Sequence, residues 1–268
     1  DSAGNAGTAV TSGSGSVTFD KTAPTLSSVG IASNNSTTTL AKASNVVTLT
    51  FTASETIATP VVTFLSEGDA ITDTSVTYVN TSGNIWTAAY TANASDTDGS
   101  VTYSIAFSDS AGNAGTAVTS GSGSVTFDKT APTVSRVSTT ADNQSLVSIS
   151  DNITVRFSEA MEPSYITTTT SDTTCRAETI KVSSDNFSSC VRMSSEPVSS
   201  NSNRTFTLDP YDNLTGGTTY KTRVTTGAKD LAGNALSSQY TTATGFATFI
   251  SFTTHIISTS ADGARAVF

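Results

Sequence analysis

The chain has 268 residues, of which 13% are charged and 7% aromatic, and its formal net charge at pH 7 is −9. This acidic balance argues against nucleic-acid binding, which needs a basic surface, and no apolar run is long enough to predict a membrane-spanning helix. The length favours two domains. The abundant Ser, Thr and Asn disfavour helices, because their side chains compete for backbone hydrogen bonds, whereas Thr and Val suit pleated strands.

The chain opens on a segment that it later repeats. Residues 1–25 recur without a single change at residues 109–133, and repetition of this kind is typical of tandem domains. The segment contains a strand-like run at 15–20 followed by a Pro-containing linker. We therefore predict that residues 1–20 are the C-terminal strand of a preceding repeat. A strand without its own sheet is a template for pairing, so we expect it to be disordered or to self-associate with a neighbouring molecule.

The first complete domain is predicted over residues 21–128. Short runs rich in Val, Thr and aromatic residues alternate there with turn residues. About seven strands in roughly 100 residues is the pattern of an immunoglobulin-type β-sandwich. The predicted strands cover 46–52, 61–65, 75–79, 85–90, 101–107 and 124–127.

The second domain is predicted over residues 129–250, with the same plan and different residues. The boundary lies in the linker at 128–132, where Pro132 biases Ala131 toward an extended backbone. No segment shows a sustained helical period, so the whole chain is predicted to be all-β, as tandem immunoglobulin-like sandwiches. The predicted strands cover 153–157, 179–182, 190–193, 204–208, 219–224 and 247–252.

The sequence lacks the residues that common catalytic arrangements require. His255 is the only histidine, and a Ser-His-Asp arrangement would have to use it. Trp86 is interpreted as core packing, with an exposed sugar-stacking role as the less favoured alternative. No glycine-rich phosphate loop precedes a helix. We therefore predict that the chain is not an enzyme.

Two cysteines, Cys175 and Cys190, lie close together in one polar stretch. A disulfide is the favoured interpretation, and unpaired thiols or a metal pair are the alternatives. A disulfide closing a loop of this size would contribute about 3 kcal/mol and would indicate an oxidising, extracellular setting.

Several motifs resemble those of known families. The linker Asp-Lys-Thr-Ala-Pro-Thr at 20–25 and 128–133, with the turn Asp-Ser-Ala-Gly-Asn at 109–113, resembles the tandem bacterial Ig-like repeats of surface adhesins. The second domain, through residues 153–163 and 229–236, resembles the SbsA-type Ig-like domain. Residues 251–268 resemble the opening of an FG-GAP or VCBS propeller repeat. The resemblance implies a stalk on the bacterial surface, in which Ca²⁺ often rigidifies the domain junctions.

Acidic residues are predicted to converge at the end of each sandwich where the chain enters. In an immunoglobulin-type sandwich, the loop between the second and third strands (B–C) and the loop between the sixth and seventh strands (F–G) return to that end. Such carboxylates repel one another unless a cation binds, and Ca²⁺ takes six to eight oxygen ligands. The alternative is that the Asp-x-Ala-Gly-Asn turns are Asx-stabilised hairpins without metal. The predicted ligands are Asp128, Glu159, Asp230 and Asn234 with Asp96 and Asp98 at the junction, and Asp20, Glu55, Asp109 and Asn113 at the preceding junction.

Three functions fit these patterns. The leading one is a structural or adhesive stalk whose partners are the neighbouring domains of the same chain. The second is a module that binds a glycan or a host protein near the Cys175–Cys190 segment and the run at 167–170. The third is an accessory region of a secreted enzyme.

Overall fold

The computed structural model describes residues 2–138 and 140–250. The chain folds as two compact units, Asp1–Asp128 and Lys129–Phe268. Within the described residues, each unit contains two β-sheets, and the helical element there is one 3₁₀ turn, Pro163–Tyr165. The predicted all-β class, with tandem immunoglobulin-like sandwiches, is confirmed.

The first unit contains one sheet in the order β1-β3-β7-β6 and a second in the order β2-β9-β8-β4-β5. Neighbouring strands are antiparallel except β2 and β9, which are parallel. The strands are β1 (Leu26–Ser33), β2 (Leu40–Ala41), β3 (Val46–Ala53), β4 (Val61–Ser66), β5 (Asp69–Ala70), β6 (Thr77–Ser82), β7 (Ile85–Thr91), β8 (Gly99–Ala106) and β9 (Val125–Phe127).

Alternation of apolar and polar residues fixes which face of each strand is buried. In β3, Val47, Leu49 and Phe51 are fully buried, while the residues between them are not. Because successive side chains of a strand point to opposite faces, this period of two directs one face of the sheet into the core. Trp86 of β7 lies in the same core and is 9% exposed.

The segment that precedes β9 also completes the first unit, although it forms no strand. It runs parallel to β1: the Ile31 amide donates to the Ser122 carbonyl at 3.1 Å, and the Ser122 amide donates to the Val29 carbonyl at 2.8 Å. Val118 makes an antiparallel bridge with Ile105 of β8. Residues 109–128 therefore close the sandwich along most of its length.

The second unit contains one sheet in the order β10-β11-β14-β13 and another in the order β12-β15-β16, with β17 also paired to β15. All of these pairings are antiparallel. The strands are β10 (Val134–Ser138), β11 (Ile153–Phe157), β12 (Ile180–Ser183), β13 (Val198–Ser200), β14 (Thr205–Leu208), β15 (Thr219–Val224), β16 (Tyr240–Thr241) and β17 (Phe246–Ala247).

Two predicted strands of the second unit differ from the structure. Residues 190–193 form no strand: the Val191 amide donates to Val182 at 2.8 Å and the Met193 amide to Thr169 at 2.7 Å, so the run bridges two separate segments instead of following one partner. The run at 247–252 was predicted too long within the described residues, because β17 ends at Ala247.

The N-terminal segment has no strand either. Residues 15–20, predicted as a strand-like run, are without regular secondary structure. Val17 is 99% exposed and Phe19 is 86% exposed. The predictions for His255 and for the propeller-like stub at 251–268 lie outside the described residues.

Candidate metal centre

Three acidic residues of the first unit come together in space. One carboxylate oxygen from each of Asp20, Glu55 and Asp109 lies within 4.8 Å of the other two. Asp109 is 4% exposed, and the other two are half-buried. The three residues come from the linker, from the segment that follows β3, and from the turn that follows β8. This group, which we call the first acidic group, brings together three of the predicted ligands.

The turn at 109–113 aims the Asp109 carboxylate. Its Oδ1 accepts hydrogen bonds from the backbone amides of Ala111 and Asn113, at 2.9 and 2.8 Å. The Asp109 amide in turn donates to the Asn113 carbonyl at 3.1 Å, and Gly112 takes φ +92°, which favours glycine. The sequence Asp-x-Ala-Gly-Asn therefore encodes an Asx-stabilised turn that holds the carboxylate in one orientation.

Asn113 connects the turn to the linker. Its Nδ2 donates to Asp109 Oδ2 at 2.7 Å and to the Asp20 backbone carbonyl at 3.2 Å. The side chain thus positions two members of the group with its amide nitrogen, whereas the sequence predicted its amide oxygen as a ligand. The hydrogen bond from the Asn113 side-chain amide, together with those from backbone amides of the turn, holds the pKa of the Asp109 carboxyl below its usual range.

Glu55 is positioned by the serine before it. The Ser54 hydroxyl accepts from the Thr25 amide at 3.0 Å, and the Ser54 amide donates to the Thr25 carbonyl at 2.9 Å. This reciprocal pair fixes the end of the linker against the end of β3. A Ser-Glu pair follows β3 and β11, at 54–55 and 158–159, but this pattern alone does not show that the serine bonds to the linker.

The second unit builds the same local geometry from a different sequence. Asp230 Oδ1 accepts from the Asn234 amide at 2.8 Å, and Asn234 Nδ2 donates to Asp230 Oδ2 at 2.9 Å. The Ser158 hydroxyl accepts from the Thr133 amide at 3.0 Å. Glu159 and Asp230 belong to a second acidic group, whose third member is the linker residue Asp128. The same three residue types in the same local settings therefore recur.

Asp96 and Asp98 belong to neither acidic group. Asp96 is 2% exposed, and its carboxylate accepts from the Thr72 amide at 2.7 Å and from the Asn93 amide at 2.8 Å. The bond from Thr72 joins two loops of the first unit, and the bond from Asn93 closes the loop of Asp96 itself, so Asp96 has a structural role there. Asp98 lies half-buried in the same loop.

The predicted disulfide is confirmed. Cys175 and Cys190 are bonded, with their Cα atoms 5.1 Å apart. Of the nearby threonines, Thr168 and Thr169 are 3% and 2% exposed, so the centre of the run at 167–170 is not presented to a ligand.

Two cation–π contacts in this part of the second unit were not predicted. The Arg223 guanidinium lies 3.7 Å from the centroid of the Phe187 ring, and that of Arg192 lies 3.7 Å from the centroid of the Tyr211 ring. Their partners are far apart in sequence, and no local pattern indicates them.

A family model described as a bacterial Ig-like domain matches residues 128–254. Those residues, slightly less than half of the chain, are similar to that family. The match begins at Asp128, so the matched residues include all three members of the second acidic group. A comparison with curated proteins finds no match.

Solved structures similar to this chain include part of a bacterial S-layer protein and a fragment of titin. The N-terminal part of the bacterial S-layer protein SbsC is 20% identical over 45% of this chain and 24% of its own, with a TM-score of 0.32. The titin I-band fragment I67-I69 is 12% identical over 86% of this chain and 66% of its own, with a TM-score of 0.42. This chain thus spans less than two thirds of either structure. Within the described residues, no helix has the length and apolar character to cross a bilayer.

Proposed function

We propose that the chain is a non-catalytic stalk segment of a large bacterial protein that is secreted or displayed on the cell surface. The observation that carries this proposal is the bacterial Ig-like domain at residues 128–254, whose linker and Asp-x-Ala-Gly-Asn turn have counterparts in the first unit. The Cys175–Cys190 disulfide supports an oxidising compartment. Sandwich domains in tandem hold a functional module at a distance, and this role needs no reactive groups.

We also propose that each acidic group binds Ca²⁺. Carboxylate oxygens are the ligands that Ca²⁺ prefers, and its remaining positions can be filled by water or by backbone carbonyls. The support is the recurrence of one linker Asp, one Glu and one turn Asp in both groups. A cation held by a linker residue together with two residues of the domain would restrict the linker. The proposed consequence is a stiffer stalk.

The first test is a thermal melt of the whole chain in EDTA and then in millimolar Ca²⁺, with small-angle scattering of the same samples. Binding to the folded state raises the melting temperature by mass action, and a restricted linker gives a longer, narrower particle. Glu55→Gln and Glu159→Gln should each remove part of the Ca²⁺-dependent rise. Asp212→Asn, at an exposed acidic residue outside both groups, is the matched control and should keep it.

An unchanged melting temperature in Ca²⁺ would eliminate the metal sites and leave a stalk with unrestricted linkers. Hydrolysis of a peptide, ester or glycoside by the purified chain would contradict the non-catalytic proposal itself. The two failures are therefore distinguishable.

The second candidate function is a module that binds a glycan or a host protein beside the disulfide. A half-open cavity of about 340 Å³ supports it, and the residues that line it are Ser183, Ser184, Asn186, Thr219 and Lys221. Titration with a glycan array, followed by amide chemical shifts, distinguishes the functions. Changes clustered at these residues would favour binding, and unchanged spectra across the array would favour the stalk.

A further inference from the structure

The outer face of the sheet β12-β15-β16 carries positive charge, although the net charge of the chain is −9. In the antiparallel pair of β12 and β15, Lys181 lies directly opposite Arg223, and Lys221 lies two residues before Arg223 on β15. Val182 and Thr222, which lie between these cations, are fully buried. Because side chains alternate between the two faces of a strand, the three cations share the face that is turned away from the core. We call Lys181, Lys221 and Arg223 the cationic face.

The cationic face is not neutralised by ion pairs within the protein. Among the described residues, the ion pair joins Arg176 to Asp172, so no carboxylate of those residues forms a salt bridge with the cationic face. The Lys181 ammonium donates to the Arg176 carbonyl, which uses one of its three donors. Like charges directly opposite each other on neighbouring strands destabilise a sheet, because their Cβ atoms are about 5 Å apart. An anion bound between Lys181 and Arg223 would relieve this repulsion.

Arg223 is held in one orientation by two contacts. Its guanidinium lies against the Phe187 ring, and its Nε donates to the Thr241 hydroxyl at 3.3 Å. Within the described residues, no hydrogen bond uses its two terminal nitrogens. A guanidinium fixed in this way offers a planar set of donors that matches a carboxylate, and it loses little freedom when it binds one.

The loop at 184–189 places the Phe187 ring beside the sheet. Asn186 and Phe187 take φ +59° and +67°, a left-handed conformation that is a genuine outlier for a bulky residue. The Asp185 carboxylate holds the loop in this shape, because it accepts from the hydroxyls of Ser183 and Ser189 at 2.8 and 2.6 Å. Both oxygens of the nearest loop carboxylate are therefore engaged inside the loop, and the strained loop keeps the aromatic ring against the sheet.

The half-open cavity of about 340 Å³ adjoins the cationic face. Lys221 contributes to its wall, together with Ser184 and Asn186. In the part of the chain that the structure describes, no hydrogen bond uses these three side chains. An ammonium, a hydroxyl and an amide are groups that hydrogen-bond the hydroxyls and carboxylates of sugars. The volume lies at the lower end of the range of small-molecule sites, about 300–1,000 Å³.

We propose that the cationic face binds a polysaccharide that carries carboxylate groups, with uronic acids among its sugars. One carboxylate lies across Lys181 and Arg223, and the hydroxyls of the adjoining sugar enter the cavity beside Lys221. The inference rests on the second candidate function proposed above and names the class of its ligand. A polymer suits this face, because Lys221 and Arg223 are about 7 Å apart along β15 and successive acidic sugars can contact both.

Titration of the whole chain with a galacturonate hexamer, followed by calorimetry and by amide chemical shifts, tests this. We expect binding that weakens as the salt concentration rises, because salt screens the exposed charges. A neutral glucose hexamer should not bind. Lys221→Gln and Arg223→Gln should each weaken binding by at least about tenfold, since each removes a charge-assisted hydrogen bond. Lys221→Gln keeps the test valid if Arg223→Gln does not fold, because no hydrogen bond of the described residues uses the Lys221 side chain.

Arg136→Gln is the matched control. Arg136 is exposed on β10 and lies directly opposite Arg156 of β11, so this variant removes the same charge from a similar cation pair on the other sheet. Facing sheets lie about 10 Å apart and these two faces turn outward, so at physiological ionic strength the affinity should change by less than about twofold. An equal loss of affinity in Arg136→Gln and Arg223→Gln would show unspecific attraction and overturn the proposal.

The remaining outcomes separate this inference from the proposed function. Equal binding of the neutral hexamer would preserve a glycan-binding module and overturn the acidic ligand. Unchanged titrations with both hexamers would also overturn the inference, and the glycan-array titration then decides the second candidate function independently. Self-association of the chain without glycan, seen in sedimentation and abolished by Arg223→Gln, would assign the cationic face to a second copy and overturn the inference.

Discussion

Two segments with one sequence have different structures in this chain. Residues 109–128 contain β9 and a hydrogen-bonded turn, and they contribute two buried side chains to the core of the first unit. Their exact counterpart at the N-terminus has no strand among residues 2–20. Intrinsic propensity is identical in the two cases, so the difference comes from the strands that flank the second copy. β-Structure is here a property of the partner edge as much as of the sequence.

The largest expected effect comes from truncating the same phenylalanine in each copy. Phe127→Ala should destabilise the first unit by about 3–5 kcal/mol, because it leaves a cavity in a well-packed core. Phe19→Ala should leave the stability unchanged. The measurement is urea unfolding followed by the fluorescence of Trp86, the chain's only tryptophan, which lies in the core of that unit. Equal effects of the two substitutions would contradict the comparison.

A smaller difference is expected at the glycine of the turn. Gly112 takes φ +92° and Gly4 takes φ +79°. Gly112→Ala should cost about 1–2 kcal/mol, because the side chain disfavours a left-handed backbone. Gly4→Ala should cost nothing measurable in the same unfolding assay, because the residues around it can relax without disturbing a packed sheet. A loss of stability in the Gly4 variant would show that the first copy is folded onto the unit.

The smallest expected effect is a pH dependence of the stability, which comes from Asp109 in the second copy. The pKa of Asp109 is lowered in the folded state by the Asn113 amide and the turn amides. Its ionised form therefore stabilises the fold at a pH above the usual Asp pKa of about 3.9, and this contribution is lost as the pH falls through the lowered value. Asp109→Asn should be less stable at pH 7 and should lose less stability on acidification. Parallel pH curves for variant and parent would contradict this assignment.

Much of the fold was predictable because alternation survives in the interior strands. The predicted runs 153–157 and 219–224 coincide with β11 and β15, whose apolar residues point to one face. The run at 190–193 was predicted wrongly, because its four residues look like a strand but bond to two separate segments. Local sequence does not show which edge remains free for pairing.

The candidate site was also predictable only in part. Topology alone predicted that Glu55 and Asp109 would meet, since loops at one end of a sandwich are neighbours. It could not show that backbone amides engage Asp96, or that Asn113 directs its nitrogen toward Asp109. Those details depend on which donors lie within about 3 Å of each oxygen, and the spacing of residues does not fix such distances.

The parallel arrangement of β1 and the segment at 109–128 that closes the first sandwich has a mechanical consequence. The chain enters the first unit just before β1 and leaves it just after β9. Tension applied at the two ends would slide these parallel elements past each other along their length. The bonds of Ser122 with Ile31 and Val29, and the pairing of β9 with β2, would then bear the load together in shear. Such an arrangement resists extension better than one in which the bonds open one at a time.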